Sequence, residues 1–110
     1  MGYPTDQDFE EARRHRTPPA QRLQSIQERA TADVLAERVR QDRKLGEQNH
    51  DPFTYLTILM EEVGETSQAA LEARFGKGTI EHLREEAVQV AAVALALVEC
   101  LDRAKWTWTK

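Results

Sequence analysis

Two short stretches of the sequence place oxygen-bearing side chains one helical turn apart. They read EEVGE at positions 61–65 and EEAVQ at positions 85–89. Residues three apart on an α-helix lie roughly 60° apart around its axis, so Glu62 points the same way as Glu65, and Glu86 the same way as Gln89. If the two helices pack side by side, their four side chains can surround one point.

Such a set of oxygens favours a hard divalent cation, either Mg²⁺ or Mn²⁺. Without a cation, carboxylates this close repel one another or hold protons at a raised pKa. Paired glutamates on helices are more often solvated surface, and a single ExxE motif is weak support for a metal site. Two such pairs, both on helices with apolar faces and joined by a short break, strengthen the prediction of a cation site.

The sequence predicts three long helices that would position these pairs. The first runs to about Lys44, with Thr17 as N-cap, Pro18 at the first helical position and Gly46 as C-cap. The second runs from about residue 53 to residue 74, and the third from about residue 80 to residue 105. Asp51 and Thr79 are the predicted N-caps of these two helices.

The short break FGKG (75–78) predicts that the second and third helices are antiparallel neighbours. The third helix is apolar on nearly every face from Ala87 to Val98, which indicates burial against more than one neighbour. Three helices of one chain cannot cover it well. We therefore expect an all-α fold, an antiparallel helical bundle completed by oligomerisation, with part of Val88, Ala92, Leu95 or the neighbouring face buried between chains.

Composition predicts one small domain without a membrane span. Residues 1–16 are polar and mixed in charge, which predicts a loosely ordered arm, and residues 17–110 form the helical domain. The formal charge of −4 arises wholly from residues 51–110, so we expect no nucleic-acid partner. The single Cys100 excludes a disulfide framework. The first twenty residues lack the apolar core of a signal peptide, so we expect a cytoplasmic protein.

Two longer stretches resemble the MazG-like all-α nucleoside triphosphate pyrophosphohydrolases. They are KLGEQNHDPFTYLTILMEEVGETSQAALE (44–72) and LREEAVQVAAVALALVECLD (83–102). The family signature is an EExxE motif followed by an ExxD motif on the next helix, and the resemblance covers about residues 38–102. It implies an enzyme that uses Mg²⁺ (or Mn²⁺) to split a nucleoside triphosphate into the monophosphate and pyrophosphate. It also implies a homodimer or homotetramer.

The resemblance assigns roles to individual residues. Glu62, Glu65 and Glu86 match metal ligands, and Glu61 matches a further motif carboxylate. Glu61 is the candidate catalytic residue: it could position or deprotonate the attacking water, or support the ligands without contacting the substrate. The family's last aspartate falls on Gln89, which carries an oxygen but no charge, so its place among the metal ligands is open.

Candidate substrate-binding residues lie on both sides of the acidic motifs. Lys77 and Arg84 could reach the phosphates, or be solvated surface. In the connector that borders the nucleotide pocket in this family, Lys44, Gln48 and Asn49 suit a base or sugar edge. Elsewhere, His50 and His82 fit exposed or capping roles better than ligation, and Trp106 and Trp108 could stack on a base or cover a dimer core.

Two other readings compete with the enzyme. One is a non-catalytic helical module that kept the fold and binds a nucleotide or a partner, and Gln89 is its main support. The other is half of a di-iron carboxylate bundle. That site requires Glu-x-x-His, and no histidine follows either glutamate pair at that spacing.

Overall fold

The computed structural model describes residues 3–14 and 21–104, and every regular element within these ranges is an α-helix. The helices are α1 (Asp6–Arg14), α2 (Gln21–Leu45), α3 (Pro52–Phe75) and α4 (Ile80–Ala104). The predicted all-α class is confirmed. The predicted cap Thr17 and Pro18 lie outside the described residues, as do Trp106 and Trp108.

Helix α1 occupies the segment for which the sequence predicts a loosely ordered arm. Thr5 and Asp8 cap it reciprocally: the Thr5 backbone N–H donates to Asp8 Oδ2 at 2.8 Å, and the Asp8 N–H donates to Thr5 Oγ1 at 3.2 Å. This pair satisfies two amides that a helix start leaves without partners, which explains local helix in so polar a segment. However, α1 packs against none of the other described helices.

The predicted C-cap of α2 and the predicted N-cap of α3 are confirmed. Gly46 follows α2 with φ of 74°, and its N–H donates to the Asp42 carbonyl at 2.8 Å. Asp51 caps α3 by accepting from the Thr54 N–H at 3.0 Å, and Pro52 begins that helix. The connector between them is thus short and fixed at both ends.

A tight turn joins α3 to α4. The N–H groups of Gly76, Lys77 and Gly78 all donate to the Glu72 carbonyl, at 3.0, 3.1 and 2.9 Å. Gly76 has φ of 128°, which few residues other than glycine adopt. At Gly78, a Cβ atom would lie 2.8 Å from Glu72 Cβ, so the chain approaches too closely for a side chain.

Helix α4 packs against both α3 and α2, which confirms that it has more than one neighbour. Tyr55, early in α3, packs with Ala96 and Cys100 late in α4, whereas Glu65, later in α3, meets Glu86 early in α4. The two helices are therefore antiparallel, as predicted. Near the end of α4, the Cys100 thiol lies 3.5 Å from the backbone carbonyl oxygen of His50, in the connector between α2 and α3.

The buried core is small, and much apolar surface stays exposed. Ala92 is fully buried within the chain, so it is not one of the residues that a second chain could cover. Its small side chain lies where α4 meets its own neighbours. The exposed apolar residues instead include a row on α3, which we call the α3 stripe: Phe53, Leu56, Met60 and Val63.

Each of the four described helices is too short or too polar to cross a membrane.

Candidate metal centre

Three carboxylates meet where α3 packs against α4. One oxygen from each of Glu62, Glu65 and Glu86 lies within 4.8 Å of the others. We call these three residues the acidic cluster. Glu62 and Glu65 share a face of α3 because they are three residues apart, and the antiparallel turn brings Glu86 opposite them. The structure therefore brings together the three glutamates that the sequence pairs predict.

The acidic cluster contains buried oxygens without hydrogen-bond partners. Glu62 Oε2 and Glu86 Oε2 are both buried, and neither accepts a hydrogen bond. Burial raises the pKa of Glu62 above its usual range, and the nearby charges of Glu65, Glu86, Glu37 and Glu61 raise it further. Unpartnered buried oxygens are rare because their desolvation is costly. This donor set fits a hard divalent cation, which would satisfy both oxygens and offset the repulsion.

Gln89 lies one turn beyond Glu86 on α4 and is half-buried. It lines a cavity of about 210 Å³ together with Glu62. Its amide therefore borders the acidic cluster on the cavity side, as the one-turn spacing predicts. It brings an oxygen to this position without the negative charge that an aspartate would add.

Glu61 is not brought into the acidic cluster. It is exposed and lines a shallow groove with three members of the α3 stripe: Phe53, Leu56 and Met60. Glu61 points about 100° from Glu62 around α3 but only about 40° from Glu65. Its carboxylate is not part of the three-oxygen group, and its side chain lies along the apolar groove.

The cavity beside the acidic cluster has a strongly charged wall. Its lining includes four cationic side chains, Arg38, Arg40, Lys44 and Arg103, and we call it the basic cavity. The basic groups come from the end of α2 and the end of α4, whereas Glu62 comes from α3. Glu37 and Asp42 also line the cavity from α2, so cations and carboxylates share that wall, and Arg38 and Arg40 are ion-paired with Glu99 and Glu37. A cavity that holds both kinds of charge suits a ligand that is anionic and binds metal, such as a polyphosphate.

Two of the five predicted substrate-binding residues, Lys44 and Gln48, line the basic cavity. Asn49 is connected to the cavity through Arg103: its Oδ1 accepts from Arg103 Nη2 at 3.0 Å and from Arg103 Nε at 3.2 Å. Arg103 also donates to the Gln48 carbonyl at 3.1 Å. The connector between α2 and α3 therefore holds one cation of the cavity in place.

The other two predicted residues lie elsewhere. Arg84 forms an ion pair with Asp33 at 2.8 Å, and it lines a second cavity with Glu85 and Gln89. Lys77 belongs to the turn after α3 and is exposed. Ten residues of helix, about 15 Å, separate Glu65 from the end of α3. The structure therefore does not bring Lys77 to the acidic cluster.

Near the acidic cluster, His82 is half-exposed, and its Nε2 lies 3.6 Å from Glu86 Oε1. Its backbone N–H donates to the Thr79 hydroxyl at 3.0 Å, which confirms Thr79 as the cap of α4. His50 contacts the Gln48 side chain at 2.8 Å and the Tyr55 ring edge-on. Both histidines thus have structural contacts of their own.

Sequence reasoning missed the contribution of α2. Arg38 is 8% exposed and donates to both oxygens of Glu99, from Nη2 at 2.7 Å and from Nε at 3.1 Å. It also contacts Gln41 and Asp42 on its own helix. We call these four residues the Arg38 anchor. A signal was present: Glu99 is a single acidic residue in an apolar stretch of α4, which indicates a buried partner.

Comparison with protein-family models, with curated proteins and with solved structures gave no match to this chain.

Proposed function

We propose that the protein is a Mg²⁺-dependent nucleoside triphosphate pyrophosphohydrolase. The observation that carries the proposal is the acidic cluster, with two buried, unpartnered carboxylate oxygens, beside the basic cavity. The resemblance of the two glutamate motifs to those of MazG-like enzymes supports the same reaction. A role in removing non-standard or excess nucleotides would suit it.

In this proposal, Glu62, Glu65 and Glu86 hold the metal, and Gln89 offers a neutral oxygen beside them. Bound Mg²⁺ would neutralise phosphate charge and make a water nucleophilic at neutral pH. Lys44 is exposed at the cavity and can bind phosphate oxygens, whereas Arg38 is engaged by Glu99 and Arg40 by Glu37. Gln48 can donate to the sugar or the base. Glu61, on the outer face, would need a rotated side chain or a second chain to contact the water.

The proposal includes a homodimer or a larger assembly. Phe53 is 67% exposed and Met60 is 64% exposed, on one face of α3. Residues 53, 56, 60 and 63 follow helical spacing, so they form one continuous apolar row. A second copy of the chain that covers this row would also bury the groove beside Glu61. Sedimentation showing a stable monomer at micromolar concentration would contradict this part.

A screen for pyrophosphate release over the ribonucleoside and deoxyribonucleoside triphosphates, with and without Mg²⁺, tests the reaction. We expect pyrophosphate and the monophosphate in equal amounts, only with the metal. The control is the Glu65→Gln variant, which keeps the side-chain shape but removes one ligand charge. Release of single phosphate, or no release with any nucleotide, would contradict the proposal.

A non-catalytic nucleotide-binding module is the second candidate. The observations that favour it are the neutral Gln89 beside the cluster and the outward position of Glu61. Such a module would bind a nucleoside triphosphate with Mg²⁺ and release it unchanged. Nucleotide binding by calorimetry without pyrophosphate release would identify this alternative.

A further inference from the structure

Helix α2 places a further carboxylate close to the acidic cluster. The side chain of Glu37 is only 13% exposed. It lines the basic cavity together with Glu62 and Gln89, and it lines the second cavity together with Gln89. Its negative charge is one of the causes that raise the pKa of Glu62. Glu37 and Gln89 are therefore neighbours across the α2–α4 contact, on the side that faces the cluster.

Glu37 is held in the charged form by its own helix. Its Oε1 accepts from Arg40 Nε at 2.8 Å and its Oε2 from Arg40 Nη2 at 2.5 Å, and Gln41 donates at 3.3 Å. The Arg40 hydrogen bonds lower the pKa of Glu37 despite its burial. The carboxylate is thus satisfied by its own helix, and it keeps its negative charge in the wall that it shares with Glu62 and Gln89.

We propose that Glu37 belongs to the metal centre and supplies, from α2, the negative charge that Gln89 does not bring from α4. This inference rests on the proposed metal-dependent function. Glu37 stands outside the three-oxygen group of the acidic cluster, because Arg40 and Gln41 engage its carboxylate. A bound cation therefore competes with Arg40 for this carboxylate, and the two residues have opposite effects on metal affinity.

Titration of Mn²⁺ into the full-length protein, followed by calorimetry, tests the inference without an activity readout. We expect Glu37→Gln to weaken Mn²⁺ binding about tenfold, the loss typical of a group that supports metal ligands. Arg40→Gln should leave the affinity unchanged or increase it, because it releases Glu37. The matched control is Glu85→Gln, which removes the same charge from a side chain that is 73% exposed, and it should change the affinity little.

A charge-relocation pair separates a role in the metal centre from a structural role. In the Glu37→Gln background, Gln89→Asp should restore Mn²⁺ affinity to within about threefold of the parent, and its gain there should exceed its gain in the parent, because the charge returns to a site that lacks it. A residue that only fixed Arg40 or α2 would give the same gain from Gln89→Asp in both backgrounds. Glu37→Asp, which keeps the charge on a shorter stem, should lose less affinity than Glu37→Gln. It also tests the charge if the glutamine variant fails to fold.

The inference would be overturned if the Glu37→Gln variant bound Mn²⁺ as tightly as the parent. It would also be overturned if Glu37→Gln and Arg40→Gln lost equal amounts of Mn²⁺ affinity.

The proposed reaction can be wrong while the inference about Glu37 holds. If the parent binds Mn²⁺, and Glu65→Gln does not, but no pyrophosphate is released, the hydrolase is wrong while Glu37 keeps its place. If the parent does not bind Mn²⁺, both are wrong.

Discussion

Helix α4 contributes one glutamate to each of two charge clusters, and the charges are arranged in opposite ways in the two. Near its start, Glu86 joins the acidic cluster, where like charges meet and two buried oxygens accept no hydrogen bond. Near its end, Glu99 joins the Arg38 anchor, where opposite charges meet and each of the three guanidinium nitrogens of Arg38 donates to an acceptor. The two glutamates are about three and a half turns apart on the same helix.

The difference between the two clusters predicts that one stabilises the fold and that the other binds a ligand. In the Arg38 anchor, burial of a charge is compensated within the chain, so the anchor needs nothing else to be stable. In the acidic cluster, burial and repulsion are not offset by a partner among the described residues, and a bound cation or a proton would offset them. Substitutions in the acidic cluster should therefore change ligand binding, and substitutions in the Arg38 anchor should change stability.

The largest effect is expected at the acidic cluster. Glu65→Gln should lower the rate of pyrophosphate release at least about 100-fold, because a ligand charge of the metal is lost. Without metal, the same variant should melt at a higher temperature than the parent, since carboxylate repulsion is relieved. Assays of pyrophosphate release measure the first effect, and thermal unfolding measures the second. Hydrolysis at the parental rate would show that the metal site is misassigned.

The Arg38 anchor should show the reverse pattern. Glu99→Gln should lower the free energy of unfolding by about 2 kcal/mol, because Arg38 stays buried and loses its bidentate partner. The affinity for Mg²⁺ should not change. Chemical denaturation and calorimetry check the two parts. A loss of metal affinity as large as that of Glu65→Gln would remove the distinction between the clusters.

The Arg38 anchor also predicts that the stability of the fold decreases at acidic pH. Arg38 hydrogen bonds lower the pKa of Glu99 below its usual 4.5, so the folded state favours the charged form. The stabilisation is therefore fully present above about pH 4.5 and is lost as pH falls through the lower folded value. Between pH 5 and pH 3, the parent should lose more stability than Glu99→Gln. Parallel unfolding curves over that range would contradict this prediction.

A smaller gain is expected at Gln89. Gln89→Asp adds a negative charge next to the proposed cation, and we expect Mg²⁺ binding to tighten by up to about tenfold, with activity preserved or raised. Titration calorimetry of both forms measures this. Weaker binding in the aspartate variant would mean that the Gln89 amide has another task, such as donating a hydrogen bond to Glu62 or to the substrate.

The smallest effect on stability is expected at the exposed ion pair between Arg84 and Asp33. Both side chains are 53% exposed, so Arg84→Gln should change the unfolding free energy by about 0.5 kcal/mol or less. If Arg84 binds phosphate, the same variant should raise KM. Asp33→Asn is the control, because it breaks the same ion pair and keeps the arginine. Equal KM values in all three proteins would leave Arg84 without a substrate role.

The local features of α3 and α4 could be predicted from sequence, because caps, breaks and three-residue spacing depend on nearby residues. Asp51, Thr79 and the acidic cluster are of this kind. The contribution of α2 could not be predicted, since Glu37 and Arg38 look like one solvated polar stretch until the packing on α4 is known. The same limit explains Ala92: its apolar character indicates burial, but not which helix covers it.

Gly78, in the turn between α3 and α4, affects the acidic cluster although it is distant from it. A methyl group there would lie 2.8 Å from Glu72 Cβ and 2.9 Å from the Ala73 backbone nitrogen, so the turn that sets α4 against α3 would have to shift. A shifted turn would change how Glu86 is placed opposite Glu62 and Glu65. Among sequences selected for metal affinity, position 78 should therefore tolerate as little variation as the carboxylates themselves, although it touches none of them.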